Sequence, residues 1–97
     1  METTKRVIQQ TSRFKRDLKR ESKGPNREVL SQEFVKIVFD LANDMPLNTR
    51  YYDHSLGGNW KDHRDCHIRP DLVLIYRKSG DGLLQLVRLG SHSELDL

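Results

Sequence analysis

Three of the four histidines, His54, His63 and His67, fall between Tyr51 and Ile68, together with the only Trp, the only Cys and three aspartates. Imidazole and carboxylate groups cost free energy to bury and add little to a core, so this concentration marks either a polar surface or a site. Three uses are open. On a strand, His63, Asp65 and His67 would point one way, and with His54 or His92 they could hold zinc. There is no Cys pair and no HExxH motif, however, and no metal or cofactor is expected. The plainest use is a set of satisfied surface side chains. The third is metal-independent cleavage of an RNA phosphodiester. That reaction needs a base for the 2'-hydroxyl proton, an acid for the departing 5'-oxygen, and cations for the charge on the phosphorane. Histidine alone has an unperturbed pKa near neutrality, and Asp65 or Asp71 could hold its tautomer. Lys61, Arg64, Arg77 and Arg88 are candidates for contacting RNA phosphate.

These residues need a scaffold. Lys5 to Gln10, with Val7 and Ile8, reads as a first strand. Thr11 or Ser12 can cap a helix whose thin apolar stripe is Phe14 and Leu18. Gly24-Pro25 stops it, and Asn26 can cap a second helix. There Val29, Leu30, Phe34, Ile37, Val38 and Leu41 repeat at helical spacing and predict the main core helix. Met45 to Asn59 reads as a long loop. From Trp60 a strand is expected, with Trp60, Asp62, Arg64, Cys66 and Ile68 on one face. Lys61, His63, Asp65, His67 and Arg69 would share the other. Pro70-Asp71 makes a turn. Leu72 to Arg77 and Leu83 to Leu89 complete a meander around the hairpin turn Ser79-Gly80-Asp81-Gly82. The expectation is one α+β domain over residues 1–97, in β-α-α-β-β-β order, with two helices on a small antiparallel sheet. In a meander the His67 end of one strand and the His92 end of the last can meet.

Charge is unevenly spread. The chain carries a net charge of +3, but residues 1–36 hold ten basic and five acidic side chains. Arg13, Lys15, Arg16, Lys19, Arg20 and Lys23 form one basic run, a field suited to a polyanion or an acidic partner. A single cysteine excludes an internal disulfide and fits a reducing compartment. With no apolar run long enough to span a bilayer and no secretory pattern in METTKRVIQQ, a soluble cytoplasmic protein is expected.

Several segments resemble one family: Tyr52-Asp53-His54-Ser55-Leu56, Gly58-Asn59-Trp60-Lys61, Arg64-Asp65-Cys66-His67, Pro70-Asp71-Leu72 and Arg88-Leu89-Gly90-Ser91-His92. In this order and spacing the chain is similar to YafQ-type toxins of the RelE/ParE superfamily, from bacterial type II toxin–antitoxin pairs. The resemblance implies a compact RNase fold and an endoribonuclease that enters the ribosomal A site, cuts the messenger and arrests translation. It places the catalytic positions on His54, Asp65, His67, Asp71 and His92. In that scheme His54 and His92 transfer protons, His67 is a third proton carrier or a phosphate contact, and Asp65 and Asp71 orient the imidazoles. A family Phe near the carboxyl end, thought to stack on substrate, is replaced here by Asp96. The basic first helix would face ribosomal RNA. The implied partner is a small DinJ-like antitoxin with a ribbon-helix-helix part, so DNA is met only through it. The free toxin would be a monomer and the complex a heterotetramer. Against this stand a same-fold toxin that poisons gyrase, which would need no histidine cluster, a ribosome binder that does not cleave, and a small metal-dependent nuclease.

Overall fold

The computed structural model describes residues 4–80 and 82–97. Asp81 in the expected hairpin turn, and Met1 to Thr3 at the amino terminus, lie outside the described residues. Strand β1 (Val7–Gln10) leads into helix α1 (Ser12–Glu21). Thr11 caps that helix: its hydroxyl oxygen accepts from Phe14 N at 3.0 Å while the hydroxyl donates to Val87 O at 2.8 Å. One side chain thus starts the helix and ties it to the sheet.

The core helix expected from Asn26 onward is two pieces, α2 (Arg27–Ser31) and α3 (Glu33–Ala42), broken at Gln32 with φ −127° and ψ −77°. The Ser31 hydroxyl donates to Glu28 O, a local bond that competes with continuation of the helix. Asn26 does not cap with its side chain; its amide donates to Glu21 instead. The apolar positions survive the break: Val29, Leu30, Phe34, Ile37, Val38 and Leu41 are all buried.

The long loop is more ordered than its composition suggests. It contains two 3-10 turns, Thr49–Tyr51 and Gly58–Trp60, and a two-residue strand β2 (His54–Ser55). Strand β3 starts at Arg64 and runs to Arg69, so Trp60 to His63, expected in the strand, lie before it, Trp60 in the second 3-10 turn and Lys61 and Asp62 in a turn. Strands β4 (Leu72–Ser79) and β5 (Leu83–Gly90) follow, and a short helix α4 (His92–Leu95) forms where only a tail was expected. A capping box between Ser91 and Glu94 starts it.

The sheet order is β1-β5-β4-β3-β2. It is mixed, because β1 pairs parallel with β5 (Val7 opposite Leu83) while the other pairings are antiparallel. Parallel partners need a crossover connection, and here everything from α1 to β4 supplies it. The larger core lies between the helices and one sheet face and includes Phe14, Phe34, Leu41, Cys66, Ile68, Leu74 and Tyr76. The opposite face carries a smaller cluster of Val73, Ile75 and Leu95 with Leu56 and Trp60 packed against it. Asp65 and His67 sit on that second face, as the alternation along β3 requires. Among the described residues no helix is long and apolar enough to cross a membrane.

Candidate active site

The sheet itself assembles the histidines. His54 on β2 stands opposite Asp65 on β3. His67 stands opposite Val73, and Val73 opposite Gly90, two residues before His92. The intervening strand puts only a valine between the two imidazoles. The rings form a row: His54 to His67 is 6.0 Å between centroids, and His67 to His92 is 5.0 Å.

Each outer ring is held through Nδ1. His54 Nδ1 lies 2.8 Å from Tyr52 O. A carbonyl can only accept, so Nδ1 carries the proton and Nε2 is left for other chemistry. His92 Nδ1 lies 2.8 Å from Asp71 Oδ1, which also accepts from His92 N at 2.9 Å. Those two bonds, the backbone one first, hold the Asp71 carboxyl below its usual range. The same logic frees His92 Nε2.

Asp65 is 3% exposed and lies behind the row. Its Oδ1 is 3.0 Å from His54 Nδ1 and 3.7 Å from His67 Nε2, yet it has no hydrogen-bond partner among the described residues, since His54 Nδ1 is aimed at Tyr52 O. The attraction is one of charge. Burial pushes the Asp65 carboxyl up, and the three imidazoles pull it part of the way back. Burial likewise lowers His67, against the pull of Asp65. A folded pKa above the unfolded one contributes stability below the unfolded value and loses it as pH rises through the folded value. Ionised Asp65 therefore destabilises the fold at neutral pH, as functional carboxylates often do.

Two networks fix the loop that carries His54. Asp53 accepts from Tyr76 Oη at 2.5 Å and from Arg64 Nε at 3.2 Å. Glu33 at the start of α3 accepts from Tyr51 Oη at 2.5 Å and from Arg69 Nη1 at 2.7 Å. Tyr51 is buried, whereas Tyr52 is 62% exposed and leans on the row, 4.5 Å from His54 and 5.4 Å from His67. Its backbone is left-handed, φ 50° and ψ 48°, a conformation that costs a residue with a side chain about 1–2 kcal/mol. The adjacent tyrosines read alike in sequence; only the 3-10 turn separates their fates.

The cationic candidates are scattered. Lys61 and Arg77 are exposed, and Arg64 is committed to Asp53. Arg88 is drawn away from the row: its Nε and Nη2 both donate to Asp17 of α1, at 2.7 and 3.3 Å. In the basic run, Arg13, Lys15, Arg16, Lys19 and Lys23 are exposed, while Arg20 is spent on Asp17, Glu21, Glu94 and Leu89 O. His63 stays outside the row, its Nδ1 on Lys61 O and its ring edge-on to Trp60. Cys66 is buried in the core, where burial pushes its thiol well above the usual range. Leu95 is buried under the row's face, and Asp96 closes α4.

Residues 6–97 match the family model described as "Bacterial toxin of type II toxin-antitoxin system, YafQ". The chain is 33% identical to the mRNA interferase toxin YafQ of Escherichia coli K12, over 93% of this chain and 95% of that protein. It superposes on the toxin of the E. coli DinJ-YafQ toxin-antitoxin complex with a TM-score of 0.80, at 35% identity, covering 94% of this chain and 97% of that one. A metal-bound toxin from Helicobacter pylori is similar with a TM-score of 0.79, at 45% identity over 92% and 97% of the two chains. Matched over almost its whole length, the chain belongs to the YafQ family of bacterial type II toxin–antitoxin toxins.

Proposed function

We propose that this protein is an endoribonuclease that cuts messenger RNA in the ribosomal A site, without a metal, by attack of the 2'-hydroxyl. The observation that carries the reading is the row itself. In-line attack needs a base and an acid on opposite sides of the phosphorus. A phosphate seated over His67 would have His54 Nε2 on one side and His92 Nε2 on the other. His67, kept neutral by burial, can donate to a phosphoryl oxygen. Asp71 holds the His92 tautomer, and Asp65 supplies the negative field behind His54 and His67. The exposed part of the basic run faces ribosomal RNA, and capture should weaken with salt.

The experiment is primer extension on a defined messenger in purified translating ribosomes, with chelator present. Discrete cuts within A-site codons support the reading. Blocked translation with intact messenger would leave a ribosome binder, and unaffected translation would point to another target such as gyrase. In the cell an acidic antitoxin is expected to hold the toxin, as DinJ holds YafQ in the E. coli complex. DNA is then met only through the antitoxin, and the free toxin is a monomer.

Tyr52 replaces the aromatic that Asp96 does not provide. Its exposed ring beside His54 and His67 is placed to stack on a base, worth about 1–3 kcal/mol. Tyr52→Phe should keep cleavage. Tyr52→Gly should relieve the left-handed strain and raise stability by about 1 kcal/mol, yet lose about tenfold or more in cleavage at low messenger concentration. Thermal melts and cleavage titrations read the two effects separately.

A second use of the row is favoured by one observation. Donor atoms of His54, Asp65 and His67 all lie within 4.8 Å of one another, and Asp65 Oδ1 has no hydrogen-bond partner among the described residues. A borderline cation such as copper or zinc fits this set. It would compete with the proton transfers and so inhibit. Added copper should raise the melting temperature and give a spectroscopic signal that His67→Ala weakens. Chelator should restore cleavage.

A further inference from the structure

Next to the histidine row lies an open cavity of about 260 Å³, lined by Glu33, Arg50, Tyr51, His67, Arg69 and Pro70. His67 is thus a wall of both the row and this cavity. A register shift between His67 and Arg69 on β3 re-aims Arg69 toward the start of α3. There Arg69 Nη1 and Arg50 Nη2 meet the same carboxylate, Glu33, at 2.7 and 3.4 Å. Arg50 Nη2 also donates to Tyr51 Oη at 2.7 Å.

The ion pairs have a structural use, since they fasten the 3-10 turn to α3. That use needs one guanidinium. Two on one carboxylate leave a net positive charge. Arg69 is bonded through Nη1 alone and Arg50 through Nη2 alone, so Nε and the remaining Nη of each have no partner among the described residues. Both side chains are about half exposed or more, at 49% and 69%. Fixed, forked and unfilled guanidinium groups suit a phosphate diester. The exposed carboxylate of Asp71, which repels phosphate, is paired with His92 at one end of the row.

We propose that Arg50 and Arg69 form a second phosphate site, which grips a messenger phosphate one or two nucleotides from the scissile one. Glu33 and Tyr51 are its positioning residues. The proposal rests on the RNA-cleaving reading and adds to it the direction in which the strand leaves the row. Strand parity placed Arg69 on the histidine face, but neither arginine was read as a phosphate contact, because each sits apart from the other cations in sequence.

The test is binding, not cleavage. Short RNAs blocked by a 2'-O-methyl group at the scissile nucleotide are titrated by fluorescence anisotropy. One neutral methylphosphonate is walked along the backbone. In the wild type a single flanking linkage should weaken binding about tenfold when neutralised. In the Arg50→Ala/Arg69→Ala variant that linkage should have no effect, and the salt slope should fall by about 0.7 for each phosphate that is no longer neutralised. Arg69→Lys should recover part of the affinity, and thermal melts confirm that the variants fold. The proposal is overturned if wild type and variant respond alike at every linkage, if the salt slope does not move, or if the wild type fails to bind the blocked RNA. Absence of cleavage on ribosomes with this cycle intact would instead remove the catalytic reading and leave the phosphate site standing.

Discussion

His92→Ala should slow messenger cleavage by about 10²–10⁴-fold with almost no change in melting temperature. The ring is partly exposed, at 40%, and makes its one hydrogen bond to Asp71. The backbone bond from His92 N to Asp71 survives the substitution, and the Ser91–Glu94 capping box keeps α4 in place. What is lost is Nε2, the atom proposed to protonate the leaving 5'-oxygen. Asp71→Asn removes only the fixed anion and should cost less than His92→Ala. The measurement is a single-turnover rate on ribosomes programmed with one messenger, in chelator. A variant that cuts at the wild-type rate would sink the acid role of His92 and shift the proton to His54 or His67.

The sequence made this site legible because strand periodicity places residues by parity. Asp65 and His67 had to share a face, and Cys66 and Ile68 had to take the other, once β3 existed. The closeness of His67 and His92 followed from a meander. The parallel pairing of β1 with β5 did not, because an edge strand of four residues carries no pattern that names its partner. The break at Gln32 was hidden as well, since an apolar repeat continues across a kink that stays on the same face. Arg88 shows a subtler limit. It was read as a phosphate contact because it precedes Gly90 and His92, and a cation near a candidate site invites that reading. Its partner is Asp17, 71 residues earlier, and only the docking of α1 against β5 brings them together. Asp17 itself looked like one more charge on a solvated helix.

Asp17→Ala should therefore destabilise the fold by about 3–5 kcal/mol, a large part of the about 5–15 kcal/mol that small domains possess. Asp17 is 3% exposed and accepts from Arg88 Nε, Arg88 Nη2, Arg20 Nη1 and the buried Leu89 N. Removing it strands the Arg88 side chain, itself only 12% exposed, together with a backbone donor. Burial by itself would raise the Asp17 carboxyl. The bonds from Arg88, Leu89 N and Arg20 outweigh it and hold the group below its usual range. With the folded pKa below the unfolded one, the stabilisation is present above the unfolded value of about 4 and is lost as pH falls through the folded value. Urea unfolding at pH 7 and again near pH 3 separates the two states. The wild type should lose stability on acidification, and Asp17→Ala should lack that component of the loss. A paired Asp17→Leu/Arg88→Met variant tests the cause, because replacing a buried ion pair by apolar groups of similar size is often neutral or better. If the double variant is as unstable as Asp17→Ala, the damage comes from the orphaned Leu89 N and not from the charge. If it recovers, the charge pair is what joins α1 to the end of β5, the strand that delivers His92 to the row.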